Sequence, residues 1–140
     1  MRSVSISIDS RFAAVAISIK GEMEGGAIVD AIVEWFDRRP LAASLDRLYD
    51  VTAFSGSVGE EDIRNLAIRL PEAALTTAAM TVIATRKPQL PLWSEALPQL
   101  APARIFRVEP SLTAAWATLA IEQDVRFRDR RRRRTERPQG

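Results

Sequence analysis

The sequence predicts a single α/β domain with a mixed five-stranded sheet that begins with an antiparallel hairpin. Two observations predict this fold. Short segments with the period of β-strands alternate with segments that have helical spacing, and the first two strand-like segments are separated only by a short polar link. The predicted order of elements is ββαβαβαβα. After the hairpin, this alternation favours parallel strands that are joined by crossover helices.

The hairpin is predicted from the alternation within the first twenty residues. Residues 3–8 alternate serine with Val or Ile, which is the period of a strand with one buried face. Residues 9–11 supply a polar turn, and residues 12–19 predict the second strand. One face of that strand carries branched apolar side chains, whereas the other carries Ala14 and Ala16. We therefore expect another element to pack closely against the small face.

A helix and a buried strand are predicted next. Residues 27–37 have apolar side chains at helical spacing, and Pro40 ends that helix. Gly25 and Gly26 are assigned to the loop that precedes it. Residues 45–51 then predict a third strand that is short and buried.

The start of the second helix is predicted from a capping motif. The run Ser57-Val58-Gly59-Glu60 fits a capping box in which Ser57 is the N-cap and Glu60 is the third helical residue. Apolar residues then keep helical spacing until Pro71 interrupts the pattern.

The rest of the domain is predicted as two strands and two helices. Residues 78–84 and 103–108 predict the fourth and fifth strands. Between them, three prolines limit the helix at residues 90–100 to about two turns. The final helix is expected to open at Pro110 or Ser111.

The composition excludes several kinds of chemistry. The chain has neither Cys nor His, so it contains no disulfide, no thiol nucleophile and no imidazole base or ligand. We therefore expect a protein that is not an enzyme and that needs neither a cofactor nor a metal. No run of about 18 apolar residues is present, and the first residues alternate where a signal peptide needs an unbroken apolar core. The expected location is the cytoplasm.

Charge divides the chain into two parts. Residues 1–125 hold twelve Lys or Arg against sixteen Asp or Glu, which gives −4, and we assign them to the folded domain. Residues 126–140 hold eight Arg against two acids, which gives +6. Because like charges repel, we expect a disordered tail, and its alternative role is to bind anions such as RNA, DNA or an anionic membrane surface. The arginines of this predicted anion-binding tail are Arg126, Arg128, Arg130, Arg131, Arg132, Arg133 and Arg134.

Three segments, taken with the order of elements, resemble a known family. They are residues 48–52, a strand that ends in an acidic residue before a Ser/Gly loop; residues 80–85, a buried strand that opens into a loop; and residues 103–119, a short strand with Phe followed by a helix with Trp. Over residues 3–122 the chain resembles the STAS-like fold of the SpoIIAA-like and SEC14-like bacterial proteins.

The resemblance implies a regulatory module that binds a protein partner, either a kinase or another regulator. In anti-sigma-factor antagonists of this fold, a partner kinase phosphorylates a serine in the loop after the third strand. Here the run Asp-Ser-Ser-Gly of that family is absent, and Ser55-Gly56-Ser57 stands in its place. The candidate phosphoacceptor or ligand loop comprises Asp50, Thr52, Ser55 and Ser57. A purely structural interpretation assigns Ser57 as the helix cap and expects Asp50 to bond loop amides.

Two further hypotheses stay open. The SEC14-like side of the resemblance implies a domain that binds a small ligand or a lipid, with Trp93 in its proline-rich segment as a flap over a cleft. The arginine tail alone implies weak, non-specific binding to nucleic acid or to an anionic membrane. A homodimer through sheet edges and exposed aromatic residues is compatible with all three hypotheses.

Overall fold

The computed structural model describes residues 2–71, 79–86 and 105–136. Within these ranges it shows five strands and three α-helices, so the predicted α/β class with a mixed five-stranded sheet is confirmed. The strands are β1 (Ser3–Asp9), β2 (Ala14–Lys20), β3 (Asp46–Asp50), β4 (Met80–Ala84) and β5 (Ile105–Glu109). The helices are α1 (Gly25–Arg38), α2 (Glu60–Arg69) and α3 (Leu112–Glu136), with a short 3-10 helix at Pro40–Ser44. The helix predicted at residues 90–100 lies outside the described residues.

The strands lie in the sheet in the order in which they occur in the chain, β1-β2-β3-β4-β5. β1 pairs with β2 in an antiparallel arrangement, as the hairpin requires, and every later pair is parallel. The carboxyl ends of β2 to β5 therefore meet at one edge of the sheet, which we call the carboxyl edge.

Two apolar clusters cover the two faces of the sheet. The larger one joins the branched face of β2 to buried side chains of α1 and α2, among them Phe36 and Ile63. The smaller one joins the opposite face to α3, where Ala115 and Leu119 are buried. Ala14 belongs to this smaller cluster. Helix α3 therefore packs against the small face of β2 at Ala14, as predicted, whereas Ala16 on the same face is only half-buried.

The second strand begins two residues later than predicted. Phe12 lies before the strand, and its ring stacks on that of Trp116 in α3, with 5.2 Å between the ring centroids. Ala13 has a φ of 46°, a left-handed value that no strand residue adopts. The packing of α3 therefore sets the start of β2, and the local alternation does not.

The first helix begins earlier than predicted, since Gly25 and Gly26 are its first two residues. Gly25 is buried against the carboxylate of Asp62 in α2, and a Cβ added there would overlap that carboxylate. Here glycine allows two helices to approach closely and does not mark a loop. Pro40 follows the end of α1 as predicted, and it also opens the 3-10 helix.

The capping prediction for the second helix is wrong in its residues. The helix starts at Glu60 with Gly59 as N-cap, and the side chain of Asp62 accepts a hydrogen bond from the Gly59 amide at 3.0 Å. Ser57 lies two residues before the N-cap, where it pairs with Glu24 in an isolated parallel bridge.

The third helix begins where it was predicted to begin and extends beyond residue 125. The Ser111 hydroxyl accepts a hydrogen bond from the Ala114 amide at 3.1 Å, as expected of an N-cap. The helix then continues to Glu136, although residues 126–140 were expected to be a disordered tail. Residues 112–125 already form the helix, so the arginines that follow can extend it. Each residue that is added to a formed helix gains one hydrogen bond.

Candidate functional site

The loop that follows β3 is held in one conformation by Asp50. The Asp50 carboxylate accepts hydrogen bonds from the Thr52 amide at 3.1 Å and from the Thr52 hydroxyl at 2.6 Å. This bond to a loop amide confirms the structural interpretation of Asp50. Both side chains are half-buried and bonded to each other, so they support the loop and offer little to a ligand.

The same loop is joined to the chain that leaves β2. The Gly21 amide donates to the Ala53 carbonyl at 2.9 Å, and the Ser55 amide donates to the Gly21 carbonyl at 3.0 Å. Gly21 has a φ of 78°, which suits glycine. At Gly56 an added Cβ would overlap the backbone carbonyl of Met23, so the two segments are in close contact.

Ser55 and Ser57 are presented on this fixed backbone at the carboxyl edge. Both residues are exposed, whereas Phe54 is buried in the larger apolar cluster. The buried ring holds the loop against the domain, and the two serines beside it face solvent. Of the four predicted loop residues, these two are therefore the ones that a modifying enzyme or a partner can reach.

The surroundings of these serines are acidic. Four exposed glutamates, Glu22, Glu24, Glu60 and Glu61, lie in the segments that pair with or follow the loop. Asp62 lies where the N-termini of α1 and α2 meet, and negative charge is stabilised there by both helix dipoles. Among the described residues near the serines, acidic side chains outnumber the basic ones, Lys20 and Arg86, and the acidic ones lie close to helix starts.

The meeting of the two helix N-termini gives a testable prediction. We expect Gly25→Ala to lower the free energy of unfolding by about 1 kcal/mol, because Asp62 must move and lose its bond to the Gly59 amide. Gly26→Ala is the matched control, because no atom lies within 4 Å of an added Cβ. It should stabilise the helix by roughly 0.5–1 kcal/mol. Urea unfolding of both variants checks this, and equal effects would refute the proposed contact.

Sequence reasoning missed Arg86. Its guanidinium Nε donates to the Thr52 carbonyl oxygen, so a cation from the end of β4 lies against the loop from the end of β3. The parallel order of these strands was a signal that would have found it, because residues that follow neighbouring parallel strands meet at one edge.

A second cluster, which we call the Asp46 cluster, lies at the opposite edge of the sheet. Asp46, the first residue of β3, is buried and accepts hydrogen bonds from the Met80 amide at 2.8 Å and from Gln123 Nε2 at 2.9 Å. Arg126 donates both of its terminal nitrogens to the same carboxylate. The prediction that Arg126 belongs to an anion-binding tail is therefore corrected. Its guanidinium is already paired with the buried carboxylate of Asp46.

The pKa of the Asp46 carboxyl is lowered by its surroundings. Burial by itself raises the pKa of Asp46, but the hydrogen bonds from Arg126, Met80 and Gln123 outweigh burial and hold the pKa below its usual value. The carboxylate is thus charged at neutral pH and joins the sheet to α3.

The other predicted tail arginines lie in α3 beyond this cluster. Arg128 is exposed and forms an ion pair with Asp124 at 3.1 Å, and Arg131 lies over the exposed ring of Phe127, 5.9 Å from its centroid. Arg130 and Arg132 are also exposed, and Arg133 and Arg134 continue the helix. Trp93, the predicted flap, lies outside the described residues.

Further observations concern the whole described part of the chain. Within it, no group of three or more Asp or Glu residues is placed to hold a metal ion. The described helices include none that is both long and apolar enough to cross a membrane. Comparisons with protein-family models, with curated proteins and with solved structures found no match to this chain.

Proposed function

We propose that this domain is a non-enzymatic regulatory module of the STAS-like type that binds a protein partner through the loop at residues 50–59 and α2. The observation that carries the proposal is the exposure of Ser55 and Ser57 on a fixed loop at the carboxyl edge. The described part of the chain supports the proposal with the predicted order of elements from β1 to β4, and with β5 followed by α3.

Helix α2 adds an apolar contact to this surface. Ile68 is 72% exposed, and the charged residues Arg64 and Arg69 of the same helix are exposed as well. An exposed branched side chain beside charged residues suits the buried centre of a partner interface with a polar rim. We therefore place the contact surface along α2, from the loop serines to Ile68.

Phosphorylation of Ser55 or Ser57 is proposed as the gate. A phosphate adds a charge of about −1.5 to −2, and beside carboxylates it disrupts an interface through repulsion and desolvation. Glu24 is paired with Ser57, so a phosphate there also strains the domain itself. Ser55 is the better gate because its backbone pairs with Gly21 and not with an acid.

The experiment begins with capture of partners from native cells by the full chain, followed by affinity measurements on each purified partner. We expect Ser55→Asp and Ile68→Ser each to weaken binding about tenfold or more. The first adds a charge that has no partner at the interface, and the second removes an apolar contact from it. The matched controls are Ser10→Asp in the hairpin turn and Leu41→Ser in the 3-10 helix, where Leu41 is 89% exposed.

The controls should leave binding unchanged. Mapping of phosphates on the captured chain should find them on Ser55 or Ser57. If the chain captures no protein, or if a partner binds all four variants equally, the proposed contact surface is wrong.

A further inference from the structure

We propose that residues 127–136, here called the arginine arm, bind double-stranded DNA by lying in its major groove. The arm is the part of α3 that follows Arg126, the residue that pairs with Asp46 at the start of β3. Ten helical residues extend about 15 Å. Every described side chain from Phe127 to Arg132 is exposed, so the arm presents its surface to solvent.

The distribution of charge around the arm points to a ligand that surrounds it. Successive helical residues are rotated by about 100°, so Arg130, Arg131 and Arg132 lie on three different sides. A helix that lies on a membrane surface needs its cations on one face and apolar residues on the other. The phosphates of the two strands that flank a groove instead approach a helix from more than one side.

The dimensions favour DNA over RNA. An α-helix with its side chains is about 10–12 Å across, and the major groove of B-DNA is about 12 Å wide. The major groove of an RNA duplex is too narrow and deep for side chains to read. Phe127 is the only aromatic residue of the arm, so the sequence offers no stacking platform for single strands.

The rest of the molecule limits the contact to the arm. Residues 1–125 carry a net charge of −4, which phosphates repel. The Asp46 cluster fixes the base of the arm to the sheet, and the arm therefore leaves the acidic domain in a defined direction. Six of the ten residues of the arm are arginines, and contacts of arginine with phosphates carry no sequence information, so binding should depend weakly on DNA sequence.

The test measures the binding of the full chain to a labelled DNA duplex. Fluorescence anisotropy gives the affinity at several KCl concentrations between about 50 and 200 mM. The arm variant carries Arg128→Gln, Arg130→Gln, Arg131→Gln and Arg132→Gln. The matched control replaces four exposed arginines elsewhere, namely Arg2, Arg11, Arg38 and Arg64, by Gln. Loss of four phosphate contacts should flatten the slope of log K against log salt by up to about 4 in the arm variant. The control variant should keep the wild-type slope.

A second pair of variants tests whether the helix matters and not charge alone. Asp129→Pro and Asp129→Ala remove the same charge, but only proline breaks the helix. We expect Asp129→Pro to bind DNA more weakly than Asp129→Ala. Equal binding by these two, or equal losses in the arm and control variants, would overturn the proposal. So would tighter binding to an RNA duplex or to phosphatidylserine vesicles than to DNA.

Discussion

Asp46→Ala should lower the free energy of unfolding by about 3 kcal/mol, as the removal of one partner from a buried ion pair does. The substitution leaves the Met80 amide without its acceptor and deprives Gln123 and Arg126 of theirs. We place the loss at the lower end of the range of about 3–5 kcal/mol because the Arg126 side chain is 25% exposed and can turn towards water. Urea unfolding at pH 7 measures it.

The control is Asp124→Ala, which removes an aspartate from an ion pair on the same helix. Asp124 and Arg128 are both exposed, so their pair contributes between about 0 and 1 kcal/mol. If the two alanine variants are equally stable, the Asp46 cluster does not hold α3 to the sheet.

The same carboxylate makes stability depend on pH. Because the pKa of Asp46 is lower in the folded than in the unfolded chain, its contribution is present above the unfolded value of about 3.9 and is lost as the pH falls through the folded value. Asp46→Asn lacks this contribution at every pH. The difference in unfolding free energy between wild type and Asp46→Asn should therefore shrink below about pH 4. A difference that stays constant would show that folding does not change the pKa of Asp46.

Leu119→Ala should lower the free energy of unfolding by about 2–5 kcal/mol, because it opens a cavity in a close-packed cluster. Leu119 is 0% exposed and lies between α3 and the sheet, together with Leu48 and Val82. The smaller cluster contains few side chains, so little else can fill the space. Urea unfolding followed by circular dichroism measures the loss.

Ile121→Ala is the matched control for this prediction. Ile121 lies two residues further along the same helix and is 64% exposed, so its truncation should change stability by less than about 0.5 kcal/mol. Similar losses for the two variants would mean that α3 packs on the sheet through a different face.

Much of the fold follows from patterns that neighbouring residues carry. The serine and apolar alternation in residues 3–8 specified β1, and the short turn after it specified its antiparallel partner. The later strand and helix alternation specified parallel pairing, which brings residues 50–57 to the carboxyl edge. The start of α3, predicted at Pro110 or Ser111, was likewise readable to within one residue, because a cap and the amide that it binds are three residues apart.

The candidate site could be predicted only in part. The sequence located the loop and its serines, and it anticipated that Asp50 bonds a loop amide, which is that of Thr52. It did not indicate that Gly59 and Asp62 would open α2, because the pairing of Ser57 with Glu24 decides that. That pairing joins segments that are distant along the chain.

Local period and turn chemistry therefore determined by themselves the α/β class, the hairpin, the parallel order and the position of the serine loop. Only the tertiary structure decided the role of Asp46 and Arg126, which are 80 residues apart in the sequence. Arg126 belongs to a charged run that reads as solvated, yet the fold places it against a carboxylate that burial has removed from water. Burial, desolvation and ion pairing depend on groups that meet in space, and a pattern of sequence neighbours does not contain them.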